Sequence, residues 1–165
     1  MFVATHFAVP FFTCLAWTRL DHPRPGPLQR LAMATTCGLF GVIPDCLNVH
    51  TRLDERMNSA THAVWPVLVL LGLMPPVGLW LRRLPRPLLW GIPFAWLSHL
   101  ALDAISGGIR PLYPQLGPVG AFYIHPDWWV PIDCIMLFAL YLACRRLLLA
   151  LRTPAPIAAP GPEPS

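Results

Sequence analysis

Residues 88–105 read LLWGIPFAWLSHLALDAI, an apolar run about as long as a bilayer-spanning helix, with a histidine and an aspartate near its end. His99 and Asp103 are four residues apart, so on a helix they share one face. An ionisable pair is costly inside a membrane, and a His and an Asp stacked in this way can hold one metal ion together. The stretch therefore predicts a transmembrane helix that carries two metal ligands. A purely structural His–Asp hydrogen bond is the alternative.

The composition of the whole chain agrees with a membrane protein. Of its 165 residues, 55% are hydrophobic and 12% are charged, whereas soluble domains carry about 25% charged residues. All 12 basic residues are arginines, and they cluster beside apolar runs, as in loops that flank membrane helices. We therefore expect membrane lipids as partners and no nucleic acid. The five cysteines form no CxxC pair, which argues against a thiolate zinc site.

Five apolar runs predict the fold. They lie at residues 2–18, 28–44, 62–81, 88–105 and 129–149, and each is close to the length of a membrane span. The chain is therefore expected to be all-α, a multi-pass transmembrane bundle of about five helices. We expect residues 1–152 to form one membrane-embedded domain and the tail at residues 153–165, rich in Pro and Ala, to be disordered.

The arginines predict the orientation. Nine of the 12 fall on one side of the predicted bundle: Arg19, Arg24, Arg30, Arg82, Arg83, Arg86, Arg145, Arg146 and Arg152. Because cytoplasmic loops carry the excess of positive charge, the N-terminus is expected outside and the C-terminus inside a cytoplasmic (inner) membrane.

The histidines and aspartates collect at the opposite, outer side. Five helix ends are expected to deliver them to one shared layer. The candidate metal ligands are His6, Asp45, His62, His99 and Asp103. Taken singly, each has a plainer interpretation as an interfacial polar residue or a helix cap, so the prediction depends on their convergence.

A second set of residues lies near the same layer. As further ligands, or as residues that orient a ligating histidine, we consider His50, His125, Asp127 and Asp133. For His125 the alternative is an interfacial anchor beside Trp128 and Trp129. Candidate phosphate-binding residues are Arg52, Arg56 and Arg110; the first two also fit a solvated loop.

The donor set indicates the chemistry. Imidazoles with carboxylates suit zinc or another divalent first-row ion. Such an ion lowers the pKa of its bound water to about 7 and so makes a nucleophile available, and pairs of ions commonly serve phosphoester hydrolysis. Asp45 and Asp103 are the candidate catalytic carboxylates beside this metal-bound water.

The motifs, taken in order, resemble a known family. The matching pieces are Thr5-His6-Phe7-Ala8-Val9-Pro10, Ile43-Pro44-Asp45, Ala60-Thr61-His62, Leu97-Ser98-His99-Leu100-Ala101-Leu102-Asp103 and Ser106-Gly107-Gly108-Ile109-Arg110-Pro111-Leu112-Tyr113-Pro114. They resemble the YdjM-like metal-dependent hydrolases, which are LexA-binding and associated with the inner membrane. More remotely, the order of ligands is similar to zinc-dependent phospholipases C and related nucleases.

The resemblance implies an α-helical, multi-zinc, phosphodiesterase-like site at His6, Asp45, His62, His99 and Asp103. Two stretches depart from the family pattern. The family's His-Arg-Gly before the Thr-His pair is replaced by Met57-Asn58-Ser59, and no second Asp follows Asp45 closely.

Three functions remain open from the sequence. The first is a membrane-bound metal-dependent hydrolase that acts on a phosphoester or lipid-linked substrate at the extracytoplasmic face. The second is a non-catalytic membrane scaffold or regulator with a structural metal site. The third is a transporter, which would place its ionisable groups near the bilayer midplane rather than at one face.

Overall fold

The computed structural model describes residues 3–21, 23–48, 55, 57–81 and 84–152. Within these ranges the chain forms five α-helices and no strand: α1 (Val3–Leu20), α2 (Pro27–Leu47), α3 (Trp65–Trp80), α4 (Arg86–Ile105) and α5 (Trp129–Arg152). Short 3-10 turns, Ala60–His62 and Pro126–Trp128, precede α3 and α5. The prediction of an all-α bundle of five helices is confirmed. The predicted tail lies outside the described residues.

Prolines mark the starts of three helices, while those in helix interiors do not end them. Pro27, Pro66 and Pro87 lie in the first turns of α2, α3 and α4, where the missing N–H has no intrahelical partner to lose. Pro10 and Pro93 lie inside α1 and α4, and both are buried. Such breaks are tolerated where neighbouring helices pack around them.

The centre of the bundle is formed by α1, α2 and α4, which all pack against one another. Buried apolar side chains such as Phe11, Cys14, Ala34 and Cys37 join α1 to α2. The helix α5 lies against α1 and α2 at the edge of this core, and α3 lies against α4. The first helix is therefore an inner element of the bundle.

Three helices are long and apolar enough to cross a membrane: Pro27–Leu47, Arg86–Ile105 and the continuous segment Pro126–Arg152. The helix α3 is also apolar but has only 16 residues, and the 18 residues of α1 include buried Thr5, His6 and Thr18. For these two helices the predicted crossing stays a prediction.

The outer face of α5 consists of apolar side chains that none of the described elements covers. Leu147 is its one buried residue, whereas Val130, Ile135, Phe138 and Tyr141 are each more than half exposed. An apolar face of this extent is rare on a soluble monomer and marks contact with lipid or another apolar partner. Of the three long apolar helices, α5 is thus the one with the greatest surface for lipid.

A glycine turn ends α4 just after Asp103. Gly107 and Gly108 have φ values of 139° and 97°, a region that glycine enters without steric cost. This lets the chain turn back, and the amides of Ser106 and Gly108 donate to the Asp103 carbonyl at 3.2 and 3.0 Å. This turn fixes the end of α4 that carries the candidate ligands.

Candidate metal centre

Four of the predicted ligands meet in one buried group. Asp45 lies in the last turn of α2, His62 in the 3-10 turn before α3, and His99 and Asp103 near the end of α4. One ligand atom from each lies within 4.8 Å of all the others. The side chains of His62, His99 and Asp103 are fully buried, and that of Asp45 is 11% exposed. This set of two imidazoles and two carboxylates can hold a metal ion.

His99 is oriented by a backbone carbonyl of α2. Its Nδ1 lies 2.8 Å from the carbonyl oxygen of Gly41, and because a carbonyl only accepts, Nδ1 carries the proton. In the neutral ring, Nε2 then presents a lone pair 3.3 Å from Oδ2 of Asp103 and 3.7 Å from Oδ1 of Asp45. No hydrogen bond within the described residues reaches this nitrogen. Facing lone pairs repel, and a cation between them removes the repulsion.

His62 is oriented by a chain of hydroxyl groups. The Thr61 hydroxyl donates to the Pro44 carbonyl at 3.3 Å, so its oxygen accepts from the Ser59 hydroxyl and from Nδ1 of His62, at 2.7 and 3.1 Å. This leaves the His62 Nε2 lone pair directed at Oδ1 of Asp45, 3.2 Å away. A ligating histidine held through its other nitrogen is the usual arrangement around protein metal ions.

The charge state of His62 also suits a ligand. This residue lies in the 3-10 turn, outside the three long apolar helices. Burial lowers the pKa of its imidazole below the ordinary value, and this effect exceeds the opposing influence of the nearby Asp45 and Asp103 carboxylates. The ring is therefore neutral at pH 7, as metal coordination requires.

His6 adjoins the group from α1. Its Nε2 lies 3.3 Å from Oδ1 of Asp103, whereas His99 faces Oδ2 of the same carboxylate. The His6 and His99 rings are 4.2 Å apart between centroids. His6 is fully buried but lies outside the four-residue group defined by the 4.8 Å limit. His6 therefore contacts one carboxylate oxygen of Asp103, whereas His62 and His99 contact the other.

A close approach of α1 and α2 brings His6 to this position. Gly41 lies so near the His6 carbonyl that a Cβ atom would overlap it, and the same Cβ would be 2.7 Å from Cγ of Pro10. Gly41 therefore has two functions, because it admits the backbone of α1 and its own carbonyl oxygen orients His99.

Asp133 of α5 supports the start of α1. Its Oδ1 accepts from the Thr5 amide at 3.0 Å and from the Thr5 hydroxyl at 2.8 Å, and Oδ2 accepts from the Ala4 amide at 3.4 Å. First-turn amides have no intrahelical acceptor, and a carboxylate there is favourable to the helix dipole. Asp133 thus fixes the turn that carries His6 and is not a member of the ligand group.

His125 and Asp127, also from the second set of candidates, lie away from the ligand group. His125 and Asp127 pair with each other at 3.2 Å on the surface, with side chains 71% and 86% exposed. The 3-10 turn before α5 directs both outward, so the structure does not bring them to the ligand group. Arg110 donates to Oδ1 of Asn58 at 3.0 Å. The remaining candidates, His50, Arg52 and Arg56, fall outside the described residues.

Sequence reasoning missed two residues that orient the ligands. The carbonyl of Gly41 leaves no side-chain signal, although a glycine four residues before Asp45 indicates close helix packing. From the sequence, a hydroxyl at Thr61 is as consistent with a cap of the turn as with a partner of His62. Ser59 does cap the 3-10 turn by accepting from the Thr61 amide at 3.2 Å, while the Thr61 hydroxyl holds His62.

Comparisons of the chain with protein-family models, with curated proteins and with solved structures find no match.

Proposed function

We propose that this protein is a membrane-embedded, metal-dependent hydrolase that cleaves a phosphoester, on a lipid or lipid-linked substrate, at the extracytoplasmic face. One observation carries the proposal: imidazoles and carboxylates from α2, α4 and the turn before α3 converge in a buried layer. A buried ionisable cluster is expensive unless its charges are compensated. A bound cation provides that compensation.

Zinc is the proposed metal. Its usual ligands include neutral imidazole and carboxylate, in sets of three or four. The two cysteines next in sequence to Asp45 and Asp133, Cys46 and Cys134, are exposed and are not members of the group. His6, on the other edge of Asp103, is placed for a second ion that shares this carboxylate.

The carboxylates have different environments, which suggests different roles. When bound, a divalent cation supplies Lewis acidity, which makes a coordinated water more acidic and offsets charge on a phosphoryl group. Asp103 is enclosed by three imidazoles and serves to hold them. Asp45 is the one partly exposed member of the group, so we assign to it the acceptance of a proton from the attacking water.

Arg110 is the proposed phosphate contact. It follows Ile109 in a loop tied to the His62 segment, because the Pro111 carbonyl accepts from the Val64 amide at 2.7 Å. Its guanidinium is partly buried and donates to Asn58. Arginine suits this role because its planar fork matches phosphate oxygens.

Family and location belong to the same proposal. The sequence motifs resemble the YdjM-like hydrolases, and that resemblance implies one shared metal site. The convergence of the ligands supports this proposal: His99, Asp103, Asp45 and His62 meet in one group, with His6 beside it. The described arginines at the far end of the helices, among them Arg19, Arg86 and Arg146, support an inner-membrane orientation with the N-terminus outside. The site then faces the extracytoplasmic side.

A structural metal in a scaffold protein is the second candidate. It is favoured by the depth of the site, since three of the four ligands are fully buried and closed sites are typical of structural zinc.

Hydrolysis of bis(p-nitrophenyl) phosphate by detergent-purified protein separates the two functions. We expect zinc-dependent turnover that Asp45→Asn lowers by about 100-fold or more, as loss of a general base does. The matched variant Asp127→Asn changes an exposed carboxylate and should retain wild-type turnover. Stoichiometric metal without turnover of this probe or of phospholipid would favour the structural alternative.

A further inference from the structure

The opposite end of the bundle contains a cavity with an unusual combination of linings. It has a volume of about 520 Å³, within the range of about 300–1,000 Å³ typical of small-molecule sites. Three guanidiniums line it, from Arg19 of α1, Arg30 of α2 and Arg146 of α5. The rest of the wall is apolar and comes from α1 and α5: Phe12, Leu15, Ala139, Leu142, Ala143, Leu147 and Ala150.

A second hollow adds a fourth arginine. It is lined by Thr18, Arg19, Arg24 and Arg30, so it shares two guanidiniums with the larger cavity. Among the described residues, neither hollow has an acidic side chain in its lining. Within the described part of the chain, no carboxylate forms an ion pair with any of these four arginines. Like charges that line one cavity repel, and an anion bound among them is the natural compensation.

One of these guanidiniums is held in place by the protein. Nε of Arg30 donates to the Thr18 hydroxyl at 3.2 Å, and that hydroxyl donates to the Leu15 carbonyl at 2.7 Å. Thr18 is fully buried. The contact uses only Nε, so the two terminal nitrogens of Arg30 remain to donate to a ligand. A fixed fork of this kind matches the oxygens of a phosphate group.

We infer that this cavity binds an anionic phospholipid, with its phosphate among Arg19, Arg30 and Arg146 and an acyl chain along the apolar wall of α1 and α5. The arginines by themselves could bind any phosphate compound, but the apolar wall beside them favours a phosphate that carries an acyl chain. Basic cavities between membrane helices on the arginine-rich side bind anionic head groups in this way. The site lies at the other end of the helices from the metal centre, so it does not depend on the proposed hydrolysis.

Binding of defined lipids in a neutral maltoside detergent tests the inference. Phosphatidylglycerol, phosphatidylcholine and inorganic phosphate are titrated separately, and affinity is read by native mass spectrometry and by the shift in Tm. We expect phosphatidylglycerol to bind and raise Tm, with little effect of the other two. Equal effects of the two lipids, or an equal effect of phosphate alone, would overturn the inference, and this arm needs no variant.

A charge-matched pair of variants locates the binding. Arg19→Gln/Arg146→Gln removes two cavity guanidiniums, and we expect about 30-fold weaker phosphatidylglycerol binding, on the order of fivefold for each. The control Arg145→Gln/Arg152→Gln removes the same charge from a separate hollow beside Tyr141 and should bind as the wild type does. Equal losses in both would show a diffuse charge effect and contradict the site. If the first variant fails to fold, Arg19→Lys/Arg146→Lys, which keeps the charge and loses the fork, should bind about fivefold more weakly.

Discussion

The substitution Gly41→Ala tests most directly the helix packing beside the candidate metal centre. This change adds one methyl group to α2 where α1 is closest. The new Cβ would overlap the His6 carbonyl and lie 2.7 Å from Cγ of Pro10, so the two helices must separate. Because the Gly41 carbonyl also accepts from Nδ1 of His99, the same movement removes the bond that orients a ligand.

The size of the effect follows from these two contacts. Overpacking a close helix contact costs about 1–3 kcal/mol, and leaving the buried Nδ1 donor of His99 without an acceptor costs about 1–3 kcal/mol. The two costs are not fully additive, because the same separation of the helices that breaks the hydrogen bond also relieves part of the overpacking. We therefore expect the free energy of unfolding to fall by about 2–4 kcal/mol in total. At about 2–4 °C per kcal/mol for a chain of this size, Tm falls by roughly 5–15 °C.

Thermal unfolding and metal content in detergent give the measurement. We expect Gly41→Ala to lower Tm and also to weaken metal binding by about 10–100-fold, the usual cost of losing a group that orients a ligand. The matched control is Gly72→Ala in α3, where an added Cβ meets nothing within 4 Å and should leave Tm unchanged or slightly raised. If both variants behave alike, the argument from helix contact is wrong.

Three further predictions concern the surroundings of the ligands. Thr61→Val removes the acceptor that holds Nδ1 of His62, so metal affinity should fall by about 10–100-fold in a zinc titration with a competing chelator. Asp133→Ala removes the acceptor of the Thr5 amide and hydroxyl, so the free energy of unfolding should fall by about 1–2 kcal/mol, as measured in thermal scans. Chelator alone should lower Tm of the wild type by several degrees, because a ligand that binds only the folded state stabilises it by about 2.7 kcal/mol at 100 times Kd.

Each variant has a control of the same chemistry elsewhere. Thr36→Val removes an exposed hydroxyl that bonds only within its own helix, and metal affinity should not change. Asp127→Ala removes a carboxylate that pairs with His125 on the surface, and Tm should not change. A loss of affinity in Thr36→Val as large as in Thr61→Val would contradict the assigned role of Thr61. A chelator without effect on Tm would contradict a metal in the folded protein.

Sequence alone could predict the parts of the site that depend on local geometry. His99 and Asp103 lie on one face of α4 because of helical periodicity, and Nε2 of His99 is 3.3 Å from Oδ2 of Asp103. The apolar runs predicted five helices, and each run overlaps one observed helix. Asp45 and His62 could be placed at the same end as His99 because successive helices reverse direction.

Contacts that depend on helix packing could not be predicted. The approach of Gly41 to His6 is set by how two helices fit together, which no periodicity encodes. The pairing of Asp133 with Thr5 joins residues 128 positions apart, and the sequence left open whether this carboxylate ligates or supports. For His125 the sequence left a metal role and an interfacial anchor open, and the turn before α5 directs its side chain to the surface.

The central claim is that separate helices bring His99, Asp103, Asp45 and His62 together around a divalent cation. Mass-spectrometric metal analysis of detergent-purified protein, with wild type, His99→Ala and His125→Ala measured side by side, tests it most directly. We predict about one or more zinc ions per chain in the wild type and in His125→Ala, and a loss of most of the metal in His99→Ala. A wild type without divalent metal, or equal metal in all three proteins, would contradict the claim.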